Sequence, residues 1–491
     1  MKYSDTKLIV FLKTFSKEEI NELEKFLSLP YFKKGRDPLP LLKVLRKFHP
    51  EFSSGDFNEE KIFGELYPGS DYEDKRSAHI LRNLSSSLLK AVEEFLFVSR
   101  VRENKVLKNR TMLKELLDRN LTRYYEQYLQ TSYDDLKSDE SISGQDYLEN
   151  FYIERLNTRY YSTVLDFQNL FKYSFKSVEL LSVYFLIDLI RTATTKYIIE
   201  RRNNMKSESN VIDRLLSELN MDEVLKIYEN REQYVYLYFN YNTYKCIVNN
   251  KDKEFYEKAR KIFFENKSRI CRYDKNFFYA DLLNIILSGY SEDDFELRKE
   301  ALFLFKSCLK DGAYKISDDD FMQPHFYRNV ILTANLLKEF EWADNFIDKY
   351  SNELKPEFRD NMKYYSKAII RCSTGEFEKS LEYASKVKYD LVNFKVDLKI
   401  LMLKIFYELK LTEQAYSLTD TFKHYLKNHK EMNPEIKEAH FNYLKYYLML
   451  LKMNLNFNSA SVGLLKDQLK SEKLIMQRKW ITEKLDKLEC Q

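Results

Sequence analysis

Glycine and proline are scarce in this chain. Its 491 residues hold 9 Gly and 8 Pro, where average usage of about 7% and 5% would put roughly 59 together. Few turns are therefore expected. Strand-rich folds need Gly, Pro, Asn and Asp turns every ten residues or so, and Rossmann-like folds need glycine-rich phosphate loops, so both fit poorly. Cysteine is sparse as well: Cys246, Cys271, Cys308, Cys372 and Cys490 are odd in number and far apart, with no Cys-x-x-Cys and no His at metal-ligand spacing. That pattern predicts free thiols in a reducing cytosol, not a disulfide framework or a zinc site. Long apolar runs are missing too. Only Leu8 to Leu12 are apolar before Lys13, too short for a signal-peptide core, so export by the ordinary route is not expected. The best internal stretch, Val178 to Ile190, contains Glu179 and Asp188 and falls short of the roughly 20 residues that span a bilayer.

What is present is globular. The chain is 44% hydrophobic and 15% aromatic, with 38 Tyr and 35 Phe, and balances 80 Lys+Arg against 76 Asp+Glu. Such a composition supports a packed core, not disorder. Length alone suggests about three domains, unless the chain is a repeat array in which each unit packs on its neighbours. The charge is unevenly spread. Residues 1–110 carry 21 basic and 17 acidic residues, leaving the remainder balanced, and Lys75 to Arg110 holds nine basic residues against three acids.

Local signals predict helices throughout. Ser16-Lys-Glu-Glu19 is a capping box, followed by Ile20, Leu23, Phe26 and Leu27 at helical spacing and stopped by Pro30. Short helices fit Leu39 to Phe48 and Asn58 to Tyr67, the second capped by Asn58 and closed by Pro68-Gly69. From Glu73 the series Leu81, Leu84, Leu88, Val92, Phe95 predicts a long helix, with helical character continuing without glycine to Arg119. Residues 74–323 contain no proline, and amphipathic helices alternate there with polar breaks near Ser138 to Gly144, Asn203 to Asn210, Asn249 to Asp252 and Ser288 to Asp294, an order expected to form antiparallel pairs. From about residue 321 a repeat emerges. Phe340, Phe377 and Leu411 stand at helix junctions 37 and 34 residues apart, each followed three or four residues later by Ala343, Ser380 or Ala415. That spacing is near the roughly 34-residue period of tetratricopeptide repeats.

Phe340-Glu-Trp-Ala343 and Gly375-Glu-Phe377-Glu-Lys-Ser380 resemble the junctions of degenerate tetratricopeptide-like repeats. The stretch from Leu12-Lys-Thr-Phe-Ser16 through Phe26-Leu-Ser-Leu-Pro-Tyr-Phe32, with Phe63-Gly-Glu-Leu-Tyr-Pro68, resembles the head of large bacterial proteins with a helical-repeat body. This resemblance implies an architecture, not an activity. Asn58 to Gly69 followed by Leu81-Arg-Asn-Leu84-Ser-Ser-Ser-Leu88 is similar to the positioning and recognition helices of winged helix-turn-helix regulators that carry a tetratricopeptide-like domain. In that family a glycine-containing β-hairpin wing follows the recognition helix. Here Glu93 to Arg119 reads as helix instead.

Candidate chemistry is thin. Gly64-Glu-Leu-Tyr-Pro-Gly69 has phosphate-loop glycine spacing, yet Ser70-Asp71 stands where Lys and Ser/Thr are required, so it reads as a helix stop. Of the six histidines, His424 and His429 are about 140° apart around a helix, which is poor for sharing a metal, and His49, His79, His325 and His440 complete the set; surface or edge positions are expected for them. Asp318-Asp319-Asp320 near His325 reads as capping and charging the next helix, not as a metal cluster. On the helix from Glu73, Lys75, Arg76, His79, Arg82, Asn83, Ser86 and Lys90 are polar residues expected opposite the apolar series. That stripe suits either solvent or a DNA major groove, with Lys and Arg on phosphates and Arg82 or Asn83 on base edges. Tyrosine clusters at Tyr234 to Tyr244, Tyr160-Tyr161 and Tyr446-Tyr447 suit core filling first and a concave binding surface second.

The sequence thus predicts an all-α protein. A small helical domain over residues 1–72 leads through long basic connecting helices (73–130) to a helical-hairpin array (131–320) and degenerate tetratricopeptide-like repeats (321–491), together an α-solenoid of antiparallel helix pairs. The expected role is a non-catalytic cytoplasmic scaffold or adaptor that binds a protein or peptide segment, with no cofactor, no metal and no membrane. The alternative is a DNA-binding regulator with nucleic acid as partner, contacted through Lys75, Arg76, His79, Arg82, Asn83 and Lys90.

Overall fold

The computed structural model describes residues 3–29, 37–53, 57–137, 143–203, 205, 207–208, 210–249, 252–287, 294–388, 392–430, 432–455 and 459–489. Pro30, Tyr31, Phe32, Cys490 and parts of the expected polar breaks lie outside them. Among the described residues the chain is all-helical, with 24 α-helices and no strand beyond one isolated bridge between Asn203 and Met432. It divides into two compact units, Met1–Asp139 with Ser162–Leu165, and Glu140–Tyr161 with Asp166–Gln491.

The first unit contains α1 (Lys7–Lys13), α2 (Lys17–Ser28), α3 (Leu39–Arg46), α4 (Glu59–Leu66), α5 (Asp74–Glu103), α6 (Lys105–Asp118) and α7 (Tyr125–Lys137). The Ser16 hydroxyl accepts from the Glu19 amide at 3.1 Å, and the Glu19 carboxylate accepts from the Ser16 amide at 2.6 Å, so both halves of the capping box start α2. Asn58 accepts from the Lys61 amide at 2.9 Å to start α4. One core joins α1 to α5, with Leu81, Leu84, Leu88, Val92 and Phe95 of α5 buried beside Leu12, Leu23, Leu45 and Ile62. Each such side chain contributes about 2 kcal/mol of burial. The 30-residue α5 is therefore part of the core of the first unit. Helical character does not run unbroken to Arg119. Asn104 takes φ −81° and ψ 94°, ends α5, and caps α6 by accepting from the Leu107 amide at 2.9 Å. A polar cap residue thus interrupts a segment that has neither Gly nor Pro to mark a break.

The second unit contains α8 (Gly144–Thr163), α9 (Phe167–Arg202), α10 (Val211–Glu218), α11 (Met221–Tyr228), α12 (Gln233–Val248), α13 (Lys253–Asn266), α14 (Arg272–Leu287), α15 (Phe295–Lys310) and α16 (Pro324–Leu336), then α17 (Phe340–Tyr350), α18 (Pro356–Ser373), α19 (Phe377–Ser385), α20 (Val392–Glu408), α21 (Thr412–Asn428), α22 (Pro434–Leu455), α23 (Ser459–Ser471) and α24 (Arg478–Glu489). Sequential neighbours pack on each other, α12 on α13, α14 on α15, α18 on α19 and α20 on α21, while α9 returns against α12. One apolar core runs from Tyr147 to Ile405 and a second from Val396 to Leu488. The tyrosine clusters contribute to them: Tyr236 is buried in the first core with Tyr234, Tyr238, Tyr241 and Tyr244 half-buried against it, and Tyr446 and Tyr447 are buried in the second.

The junctions contradict the expectation of few turns. Lys338, Gly375 and Lys410 have φ of 60, 84 and 56°. The amide of the next residue in each case reaches back to the carbonyl of Ala334, Arg371 or Phe406, at 2.9, 2.9 and 2.8 Å. Ala343, Ser380 and Ala415 follow five residues after each left-handed residue and are fully buried, and the Ser380 hydroxyl donates to the Ala368 carbonyl of α18 at 2.6 Å. The same six-to-one closure occurs after Asn120, Leu165 and Gly312. It satisfies a carbonyl that a helix end leaves orphaned. Turns are plentiful, and only two of these six use glycine.

Candidate functional site

The basic face of α5 is arranged as its periodicity predicts. With Leu81, Leu84, Leu88 and Val92 turned into the core, Lys75, Arg76, His79, Arg82, Asn83, Ser86 and Lys90 are all at least partly exposed on the other side. The spacing confines them to one side of the helix. His79 and Asn83 touch through Nε2 and Nδ2 at 3.1 Å, and the Arg82 Nε donates to the Ala78 carbonyl at 3.2 Å. Among the described residues no carboxylate lies within 4 Å of Lys75, Arg76, Arg82, Lys90, Arg100, Arg102 or Lys108, whereas Lys7, Arg46 and Lys47 of the same unit all hold one. Uncompensated cations on α5 and the start of α6 raise the local potential and favour a polyanion.

Beside this run, α6 and α7 enclose a half-open cleft of about 590 Å³ lined by Lys105, Lys108, Met112, Tyr124, Tyr128 and Asp135, among others. Asn109 donates to Asp135 at 2.7 Å, and Lys105 stands 3.7 Å from the same carboxylate. The cleft is thus partly neutralised from within.

A buried polar network occupies the second unit. Asp274, in the first turn of α14, is 1% exposed. Its Oδ2 accepts from the Gly144 amide at 2.7 Å and from the Tyr236 hydroxyl at 2.9 Å, and Arg191 reaches Oδ1 at 3.4 Å while its Nε donates to Asn240 at 3.1 Å. Cys271 Sγ lies 3.5 Å from Oδ2. A thiol beside a carboxylate is the pairing of a nucleophile with a base, but burial and the Asp274 charge push the Cys271 thiol up, away from the thiolate a nucleophile needs. Burial and the same carboxylate hold Tyr236 protonated. One carboxylate thereby ties α8, α9, α12 and α14 together, which is a structural role.

The remaining sequence candidates separate. Gly69, with φ 87°, follows the end of α4 as a helix stop. Asp318, Asp319 and Asp320 do not cap the next helix. Asp318 pairs with Arg272 at 2.7 Å, Asp320 folds back on the Phe321 amide at 2.8 Å, and α16 begins after Gln323 with proline at its first turn. The histidines are not all peripheral. His440 of α22 is buried at 6% exposure against the Phe422 ring, its Nδ1 lacks a hydrogen-bond partner among the described residues, and burial pulls its pKa down to about 4. The His49 Nε2 donates to the Phe15 carbonyl at 2.8 Å, and His325 stacks on Phe394. Among the described residues no group of His, Cys, Asp and Glu is placed to hold a metal ion, and no helix is long and apolar enough to cross a membrane.

One surface escapes a reading by motif. Along α9, Phe167, Phe171, Phe175, Val178, Leu181 and Phe185 are exposed at steps of four, four, three, three and four, while Val183, Leu186, Ile187 and Ile190 on the other side are buried. The helix is apolar on two faces. The signal was the Phe-x-x-x-Phe-x-x-x-Phe spacing. No protein-family model, curated protein or solved structure matches this chain.

Proposed function

We propose that this protein is a non-catalytic scaffold or adaptor of the bacterial cytoplasm. Its second unit is read as a right-handed solenoid of antiparallel, tetratricopeptide-like helix pairs that binds a protein or peptide segment. The observation that carries this reading is the recurrence of one junction geometry at Lys338, Gly375 and Lys410, with a buried small residue at the same offset each time. A fixed junction repeated at intervals of 37 and 35 residues supports stacking of like units, and stacked units present extended faces suited to polypeptide partners. The test is affinity capture of the full chain with mass spectrometry, repeated with charge-reversing substitutions at exposed positions of α17, α19 and α21. A stoichiometric partner lost in those variants supports the reading. Turnover of a nucleotide or ester by the purified chain, with no partner retained, would sink it.

The uncompensated cations of α5 and α6 favour a second reading, nucleic-acid binding. Fluorescence anisotropy with random duplex DNA should then show log affinity falling with log salt at a slope near −0.9 per phosphate neutralised. Arg76→Glu with Arg82→Glu should flatten that slope by about two phosphates. Weak binding with no salt dependence ends this reading.

A further inference from the structure

The outer face of α9 is an extended, solvent-facing apolar strip on a helix whose inner face already serves the core. Phe167, Phe171 and Phe175 are 68, 67 and 64% exposed, Val178 57%, Leu181 38% and Phe185 46%. Together they offer about 600 Å² of apolar surface, at the top of the range for the largest patch on an ordinary monomer. Eighteen residues separate the first from the last, about 27 Å of helix. The charged residues in this span, Lys172, Lys176 and Glu179, all fall off the strip by helical spacing.

The order of side chains along the strip is near-palindromic about residue 176. Turning a second copy end for end about that residue sets Phe167 opposite Phe185 and Phe171 opposite Leu181, with Phe175 and Val178 one residue out of register at the centre. That is the pattern a two-fold, self-complementary interface requires, because residue i meets j while j meets i. The flanking charges add nothing to this register, because Glu179 is already paired with Arg231 of its own copy and both Lys172 and Glu179 stand about 100° or more round the helix from the centre of the strip. Two copies would together bury about 1,200 Å² from the strip alone, the lower bound for a specific protein interface.

We propose that the protein forms a homodimer through antiparallel pairing of the outer face of α9. This self-association is separate from partner capture by the repeats, and either can fail without the other. A helix lying on a lipid surface would expose an apolar face too, but such helices carry many Lys and Arg opposite that face, whereas here the opposite face is core.

Sedimentation velocity of the full chain over a concentration series tests this. A reversible dimer is expected, weakened at least about tenfold by Phe171→Glu or Val178→Glu, each of which buries a charge at the interface. Circular dichroism confirms that each variant folds, and if one does not, the other carries the test. Mixing F167C with F185C should give an oxidant-dependent heterodimeric disulfide in excess of that formed by F167C alone, which reads the antiparallel register. A chain that stays monomeric at high concentration overturns the proposal, as does a dimer indifferent to both substitutions. So does a monomeric chain that sediments with vesicles of phosphatidylcholine and phosphatidylserine and is released from them by Phe171→Glu.

Discussion

Lysine at a left-handed helix terminus makes an unusually clean test of backbone energetics. Lys338 and Lys410 sit at φ of 60 and 56°, are exposed, and have no side-chain partner among the described residues. An L-residue in this region costs about 1–2 kcal/mol because Cβ crowds the carbonyl oxygen. Replacing it with glycine removes that cost, while the extra freedom glycine gives the unfolded chain takes back about 0.4–1 kcal/mol. Lys410→Gly is therefore expected to stabilise by about 1 kcal/mol, and the double change with Lys338→Gly by about 2, since distant sites add. Gly375 supplies the reverse. It has φ 84°, and a Cβ built there meets nothing within 4 Å, so Gly375→Ala isolates the conformational strain and should destabilise by about 1 kcal/mol. Lys367→Gly, the same chemical change in the interior of α18, should instead cost about 1 kcal/mol. Both tryptophans, Trp342 and Trp480, lie in the second unit, so urea unfolding followed by tryptophan fluorescence reports the right part of the chain. Equal signs for Lys410→Gly and Lys367→Gly would refute the reasoning.

Two further outcomes follow from buried groups. Asp274→Ala leaves Arg191, the Gly144 amide and the Tyr236 hydroxyl without their shared acceptor, and should lower the stability of the second unit by about 3–5 kcal/mol in the same urea assay; a loss under about 1 kcal/mol would show that water or a rearranged Asn240 replaces it. His440 has its pKa pulled from 6.5 to about 4 by burial, with Asp397 only partly opposing. The unfolded chain therefore takes up a proton below pH 6.5 that the folded one refuses. That stability is whole above pH 6.5 and is lost progressively as pH falls towards 4, by up to about 3 kcal/mol. The urea midpoint of His440→Phe should lack this share of the acid decline, and an unchanged pH profile would disprove the assignment.

The first unit was legible because its signals are local. Ser16 with Glu19, Asn58, and the Leu81 to Phe95 series each specify a cap or a face within a few residues, and the structure uses each as written. The break at Asn104 was not legible, since an Asn in a helical run is a cap only when the backbone around it turns extended. His440 and Asp274 were not legible for another reason. Burial of a polar residue depends on what other helices bring to it, as Phe422 is brought to His440 and Gly144 to Asp274, and no spacing within α22 or α14 encodes those partners.

α9 marks the limit of periodicity as a guide. Its inner series, Val183, Leu186, Ile187 and Ile190, and its outer series, Phe167 to Phe185, both repeat at helical spacing. A helix apolar on both sides reads as fully enclosed, and only the placement of neighbours leaves one side open. The scarcity of glycine misled in the opposite direction. A low glycine count implies few turns only if left-handed positions require glycine, and here Asn120, Leu165, Lys338 and Lys410 hold them instead. The roughly 1–2 kcal/mol each costs is offset because the closing bond satisfies a carbonyl that would otherwise be orphaned at the helix end. Connection density is better read from where helical runs change face than from the residues that punctuate them.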